Sequence, residues 1–156
     1  MSNQDARHAA RLSAVQALYQ MEIAGGGAQE VAQEFAEHRF AELPVLPDGE
    51  FFESILTGVP QHQVEIDRAI AGSLSEKWKL ERVDSILRAI LRCGVFEFVA
   101  RRDVPAKVVI DEYVAVAGAF FGADEPGFVN AALDTIARRK RAAEFGLPTP
   151  EGELDF

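Results

Sequence analysis

The chain lacks the residues on which most catalytic and metal sites depend. Its 156 residues include one cysteine, Cys93, so no disulfide within the chain and no cysteine cluster for zinc is available. The three histidines, His8, His38 and His62, are scattered and show no metal-ligand spacing. Neither a phosphate-binding P-loop nor a glycine-rich dinucleotide motif is present. We therefore expect no enzyme activity, no catalytic residue, no metal and no cofactor.

Long apolar runs are also missing. No run approaches the roughly 18 residues of a membrane span, and residues 1–16 show no secretory signal pattern. Together with the single cysteine, these absences predict a cytoplasmic protein without a membrane partner. Hydrophobic residues nevertheless make up 48% of the chain, which is enough for the core of one domain or of two tightly joined subdomains.

Negative charge predominates, and it is unevenly distributed. The formal net charge is −9, which argues against bulk electrostatic binding of nucleic acid. Residues 30–67 hold nine acids and one base, Arg39, whereas residues 68–143 hold thirteen bases and ten acids. A local basic face is therefore compatible with the negative total. The alternative is that the acidity only aids solubility.

Helical periodicity and helix punctuation extend along the chain, and no hairpin turn lies between alternating strands. These patterns predict an all-α fold of about six to seven helices. Glycine at 25–27 ends the first helix, and proline at 44 and 47 separates the second from the third. The first two predicted helices are 4–23 and 28–41. The third is capped by Asp48 and kinked or ended by Pro60, and the helical pattern then continues to about 73. The last three are 81–100, a helix from Asp103 to 121, and one from Asp124 to about 143.

The helices are expected to form one unit over residues 1–146. A seam near residues 44–48 or 74–80 would divide it, and the predicted subdomains are about 1–78 and 79–146. Residues 147–156 are predicted to be an acidic, disordered tail. Trp78, the only tryptophan, is expected to fill the core between the subdomains.

The first helix carries a group of polar side chains suited to RNA. Arg7 and Arg11 are four residues apart and share a helix face, His8 lies beside them, and Gln16 and Tyr19 extend the polar edge. Guanidinium, amide and phenol groups suit phosphates and unstacked bases. The alternative is a solvated helix end.

Two further segments are candidates for nucleic-acid contact. Phe120 precedes Phe121-Gly122 at a helix end, where an exposed aromatic ring suits base stacking and the next helix N-terminus suits an anion. The alternative is a helix stop packed on the core. The run Arg138–Arg141 is the strongest basic cluster, but consecutive helical residues point in all directions. The alternative is that the run only complements the end of the last helix.

Four collinear segments together resemble the NusB antitermination family. The first is AVQALYQ, in the first helix. The second is AILR followed by VFEF, and the third is DVPAKVVIDE. The last is FVNAALD. They lie at residues 14–20, 89–98, 103–112 and 128–134.

The resemblance implies a function as well as a fold. It implies two helical subdomains that bind boxA RNA together with ribosomal protein S10 (NusE), in a pair that joins the RNA polymerase antitermination complex. It adds Phe128 and Asn130 to the residues expected near the RNA, which are Arg7, His8, Arg11, Gln16, Tyr19 and Phe120. S10 contacts are not assigned to residues, although the exposed side of helix 81–100 is a candidate.

The chain departs from the family pattern at basic positions. Where relatives often carry lysine, it has Gly118-Ala119 before the phenylalanines and Gly127 before the FVN segment. Each lost phosphate contact lowers the salt slope of binding by roughly 0.7 for single strands. We therefore expect weak RNA binding by the chain alone and a strong dependence on S10.

Two other functions remain open. A similar helical domain begins some ribosomal RNA cytosine methyltransferases, but no cofactor-binding domain follows it here. A helical homodimer with incidental basic residues is the second, and self-association would also offer a way to mask the RNA face.

Overall fold

The computed structural model describes residues 3–74 and 79–150, and every regular element within them is helical. This confirms the all-α prediction for the described part of the chain. Seven α-helices follow one another in these two described ranges. They are α1 (Asn3–Ala24), α2 (Ala28–Glu34), α3 (Gly49–Gln61), α4 (Gln63–Ser73), α5 (Ser85–Ala100), α6 (Ala106–Phe120) and α7 (Asp124–Lys140).

Several predicted boundaries are confirmed by local chemistry. Asp48 caps α3, because its carboxylate accepts a hydrogen bond from the Phe51 amide at 3.0 Å. Gly25 and Gly26 follow α1 with φ of +80° and +104°, a conformation that glycine adopts without steric cost. Pro60 lies in the last turn of α3, which ends at Gln61 before the chain resumes as α4.

Two predicted helix starts are wrong. The fifth helix begins at Ser85 and not near 81, because Asp84 accepts hydrogen bonds from the Ile86 and Leu87 amides. Asp103 does not cap α6. Its carboxylate accepts from the Arg101 guanidinium instead, and Pro105 occupies the position before the helix.

The second helix is shorter than predicted. It ends at Glu34 and continues as a π-helical turn (Phe35–Arg39) and a 3-10 turn (Phe40–Glu42). The change of winding brings three aromatic rings together. Phe52 stacks on Phe35 with 5.7 Å between ring centroids, and Phe40 meets Phe52 edge-on at 5.0 Å. A three-ring cluster therefore fixes this segment against α3.

Helix α5 lies at the centre of the fold. It is buried almost throughout, and α1, α3, α4, α6 and α7 all pack against it. Two close approaches depend on glycine, because a Cβ at Gly58 would overlap the Phe96 ring and one at Gly94 would meet Leu133 at 2.9 Å. The buried side chains of all seven helices form one continuous core.

The proposed division at residues 78 and 79 remains a prediction. Trp78 and the disorder predicted for 151–156 lie outside the described residues. In the part that the structure describes, no helix is both long enough and apolar enough to cross a membrane.

Candidate nucleic-acid interface

Arg11 is part of a buried ion-pair network, so it does not lie on an exposed face as predicted. Its side chain is 2% exposed, and its Nε and Nη2 donate to Glu97 at 2.8 and 2.9 Å. Nη1 donates to Glu112 at 3.1 Å, and the Tyr113 hydroxyl also donates to Glu97. All three guanidinium nitrogens of Arg11 are thus engaged with carboxylates, so its predicted exposure is wrong, and its contact with RNA stays a prediction.

The network keeps its charges in place. Burial alone lowers the pKa of Arg11, but the hydrogen bonds and charge of Glu97, with smaller contributions from Tyr113 and Glu112, raise it above the ordinary value. Burial, followed by the charge of Glu97, raises the pKa of Tyr113 well above 10.0. A protonated guanidinium, the Glu97 carboxyl group and a neutral phenol therefore form one structural unit that joins α1 to α5 and α6.

Arg7 lies at the rim of this network and remains half-buried. Its guanidinium carbon is 4.5 Å from the Phe51 ring centroid, and its nitrogens lie 3.9 Å from Asp48 and 3.5 Å from Asp103. Arg101 contacts the same ring at 4.7 Å. The ion pairs are long and partly exposed, so Arg7 is the arginine of α1 that an RNA phosphate can reach.

His8 also lies beside α6. Its Nδ1 is 2.6 Å from a carboxylate oxygen of Glu112, and its side chain is 40% exposed. Glu112 thus bridges His8 and Arg11. The imidazole borders the buried network while remaining accessible at the surface.

Gln16, Tyr19 and Phe120 meet at an open groove of about 380 Å³ beside the C-terminal half of α1. Ile23 and Ile86 add apolar surface, and Arg39 reaches the groove from the π-helical turn. We call this the α1 groove. Tyr19 and Ile23 are exposed. The structure therefore brings together two of the predicted α1 residues and the predicted α6 aromatic.

The two predicted residues on α7 do not line the α1 groove. Phe128 is half-buried and packs against the core, whereas Asn130 is exposed. Their proximity to RNA remains a prediction.

Arg141 is buried, so it is not part of an exposed basic cluster with Arg138. It is 5% exposed and donates to the carbonyl oxygens of Phe98, Val104, Glu97 and Arg101. Three of these carbonyls belong to the end of α5 or the residue after it, so the guanidinium satisfies a helix C-terminus. Arg141 is therefore a structural residue, while Arg138 stays exposed and pairs with Asp134 four residues earlier.

Sequence reasoning missed Glu97 and Arg39, although each left a signal. Glu97 is a charged residue between Phe96 and Phe98 in a strongly apolar helix, a pattern typical of a paired buried charge. Arg39 is the lone base of the acidic segment 30–67.

Cys93 is buried and poorly suited to nucleophilic chemistry. Burial, followed by the charge of Glu97, raises the pKa of the Cys93 thiol well above 9.0, which disfavours the nucleophilic thiolate. Within the described ranges 3–74 and 79–150, no three His, Cys, Asp or Glu side chains are grouped to hold a metal ion.

Comparison with known proteins identifies relatives over most of the chain. The NusB family model matches residues 8–138. A Maricaulis maris protein named "Transcription antitermination protein NusB" is 56% identical over 144 residues, covering 89% of this chain and 90% of the relative. A Caulobacter vibrioides protein of the same name is 49% identical over 140 residues, covering 86% and 94%.

Solved structures share the fold. The structure of T. maritima NusB is 28% identical, with a TM-score of 0.72, and the match covers 90% of this chain and 97% of that one. A structure of the antitermination factors NusB and NusE with double-stranded RNA is 24% identical, with a TM-score of 0.74 over 86% and 97%, and supports the fold alone. On the family match and the extent of identity, this chain belongs to the NusB family.

Proposed function

We propose that this chain is a transcription antitermination factor that binds boxA RNA together with ribosomal protein S10 (NusE). The observation that carries the proposal is the 56% identity to a protein named for transcription antitermination over 89% of the chain. In this role the protein recruits and positions its partners in the RNA polymerase elongation complex, and no bond is made or broken. Such a factor acts in the cytoplasm, where transcription takes place.

The proposed RNA-facing surface runs along α1. Arg7 and His8 lie at its N-terminal end, and Gln16 and Tyr19 lie in the α1 groove with Phe120. Aromatic faces stack unpaired bases, and an amide reads base edges, which is how proteins recognise single-stranded RNA. The surface therefore has the chemistry that a short unpaired RNA segment requires.

Few cations support this surface. Gly118, Ala119 and Gly127 are exposed at positions where a lysine would add a phosphate contact, and the net charge is −9. Electrostatic attraction supplies much of the affinity of proteins for RNA. The proposal therefore includes weak binding by the chain alone and a large gain in affinity when S10 is present.

Fluorescence anisotropy of a labelled boxA-like RNA, titrated with the protein with and without its own S10, tests the proposal. We expect S10 to tighten binding at least about tenfold, a coupling free energy of about 1.4 kcal/mol, for boxA only. A scrambled RNA and two salt concentrations serve as controls. Equal binding of boxA and scrambled RNA by the pair would contradict the proposed function.

Self-association is one alternative. The mass from light scattering, with and without boxA RNA, addresses it. A dimer that dissociates as RNA binds would support masking of the RNA surface, whereas a dimer that persists on RNA would exclude masking.

A further inference from the structure

We propose that Arg39 contacts a phosphate of the bound RNA while the adjacent unstacked base lies in the α1 groove against Tyr19 and Phe120. This inference rests on the proposed function and names the part of the RNA that the groove takes. It assigns a binding residue to the segment between α2 and α3, which the sequence patterns left without a role.

The groove is apolar except for a few groups of distinct chemistry. Tyr19 and Phe120 offer aromatic surface, Gln16 offers an amide, and Ile23 and Ile86 form apolar walls. Among the described residues that line it, Arg39 is the only charged one. An aromatic, mostly uncharged groove with a single cation fits a nucleobase and one phosphate better than a strongly charged ligand.

Arg39 carries a charge that no carboxylate of the described residues neutralises. Within residues 3–74 and 79–150 it makes no ion pair, as is also true of Arg68 and Arg82. The described arginines that pair with acids include Arg7, Arg11, Arg88, Arg92 and Arg101. It is also the only base among nine acids in residues 30–67. Arg39 is therefore the one residue of this acidic segment that can form an ion pair with a phosphate, and it lies at the groove.

The local structure positions the guanidinium without using its donors. Its central carbon lies 4.5 Å from the centroid of Phe35, which is 1% exposed and belongs to the three-ring cluster with Phe40 and Phe52. Stacking on a ring face leaves the in-plane N–H groups available for a phosphate. Arg39 ends the π-helical turn, a rare element that occurs frequently at functional sites.

Neighbouring acids restrict where a phosphate can lie. Glu34 accepts a hydrogen bond from Gln20 at 3.0 Å, and Glu22 pairs with Arg88. These carboxylates disfavour a phosphate beside the last turns of α1. The geometry therefore favours a backbone that passes Arg39 and directs its base inward between Tyr19 and Phe120.

The test uses Arg39→Ala with a set of boxA-like RNAs, each carrying one uncharged methylphosphonate linkage. In the presence of S10, we expect Arg39→Ala to weaken binding of the unmodified RNA about tenfold and to lower the salt slope by roughly 0.7. At one position in the RNA, the methylphosphonate should weaken RNA binding by the wild-type protein by a similar factor. The same modified RNA should bind Arg39→Ala as well as the unmodified RNA does. That loss of additivity would identify the contacted phosphate.

Arg68→Ala is the matched control. Arg68 is an exposed arginine on α4 that does not line the groove, and its removal changes the net charge equally. We expect it to leave affinity within about twofold of wild type. Thermal unfolding of both variants should match wild type, since both side chains are exposed.

Each contrary result has a distinct meaning. Wild-type affinity in Arg39→Ala, or equal losses for every methylphosphonate in both proteins, would overturn the Arg39 contact while leaving the boxA function intact. Weakened S10 binding by Arg39→Ala without RNA would make the groove a protein site and would also overturn it. A wild-type pair that does not prefer boxA would overturn both the proposed function and this inference.

Discussion

Arg11 shows how a single residue can match a surface pattern and still belong to the core. It lies four residues from Arg7 on the same helix, but Glu97 and Glu112 surround it, and the Phe51 ring lies 4.9 Å away. The two acids are 86 and 101 residues distant in sequence. Periodicity within one helix carries no information about such partners.

Replacing Arg11 with alanine should destabilise the fold strongly. Glu97 would remain buried without its cation, a change that costs about 3–5 kcal/mol for a buried pair. Urea unfolding followed by circular dichroism measures the loss. Arg7→Ala is the control, with an expected loss of at most about 1 kcal/mol because its ion pairs are partly exposed. An Arg11→Ala protein with wild-type stability and weakened RNA binding would restore Arg11 as an RNA contact.

A second prediction concerns Gly58, where α3 touches α5. A Cβ at this position would overlap two atoms of the Phe96 ring, which is itself packed in the core. We expect Gly58→Ala to destabilise the protein by about 1–3 kcal/mol through overpacking. Thermal unfolding measures the change.

Gly72→Ala is the control for this substitution. Gly72 lies in α4, and no atom lies within 4 Å of the position that a Cβ would occupy there. Alanine should therefore leave stability unchanged or raise it by up to about 1 kcal/mol. Equal melting temperatures for the two variants would show that the close approach of α3 and α5 does not restrict the side chain at position 58.

At the scale of secondary-structure elements, helix ends depend on residues far along the chain. The end of α5 is satisfied by Arg141, and the first amide of α6 donates to Glu144 at 2.9 Å. Arg141 also donates to Glu144 at 2.5 Å. Arg141 and the 3-10 turn that follows it, Ala142–Phe145, therefore supply the caps for both ends of the α5–α6 connection.

Arg141→Ala should lower the free energy of unfolding and destabilise the α5–α6 connection in particular. Several buried carbonyls would lose a charged donor, and each such hydrogen bond contributes about 1.5–3 kcal/mol, so we expect a loss of at least about 3 kcal/mol. Hydrogen exchange at the C-terminal turn of α5 should accelerate with the loss in stability. Arg138→Ala, which removes an exposed ion pair and a cation–π contact with Phe145 at 4.9 Å, should cost about 1 kcal/mol or less. Equal effects of the two substitutions would argue against a capping role for Arg141.

At the scale of the whole molecule, the same connection makes stability depend on acid pH. Burial alone raises the pKa of Glu144, but the Ala106 amide and Arg141 lower it below the ordinary 4.5. Because the folded pKa is the lower one, the unfolded chain binds more protons as pH falls. The stabilisation by Glu144 is thus present above about pH 4.5 and is lost as pH decreases through the folded pKa.

Urea unfolding at a series of pH values between about 6 and 3 checks this dependence. We expect the urea concentration at the wild-type midpoint to decrease as the pH is lowered below about 4.5. The decrease should be smaller in Glu144→Gln. Since Asp103 also has a lowered pKa through its hydrogen bond from Arg101, some acid sensitivity should remain in the variant. Identical pH profiles for the two proteins would exclude a contribution from Glu144.

The fold and the family could be predicted from local sequence. Asp48 and the glycines after α1 act through hydrogen bonds and dihedral angles of neighbouring residues, and the NusB segments are contiguous stretches of chain. The predicted start of α5 is too early because Val83 lies three and four residues before Ile86 and Leu87 and so continues the apolar period of the helix, although residues 80–82 form a 3-10 turn. The π-helical turn was missed because the packing of three rings decides its winding.

Tertiary structure alone decided which arginines belong to the surface. By itself, the sequence determined the helices, their approximate ends and the family segments, because each depends on interactions within a few residues. The roles of Arg7, Arg11, Arg39 and Arg141 depend instead on packing in the folded protein. Carboxylates from α5 and α6 neutralise Arg11, backbone carbonyls engage Arg141, and the Phe35 ring holds the Arg39 guanidinium beside the groove. Burial and charge pairing are properties of the assembled core, and identical residue types therefore acquire opposite roles.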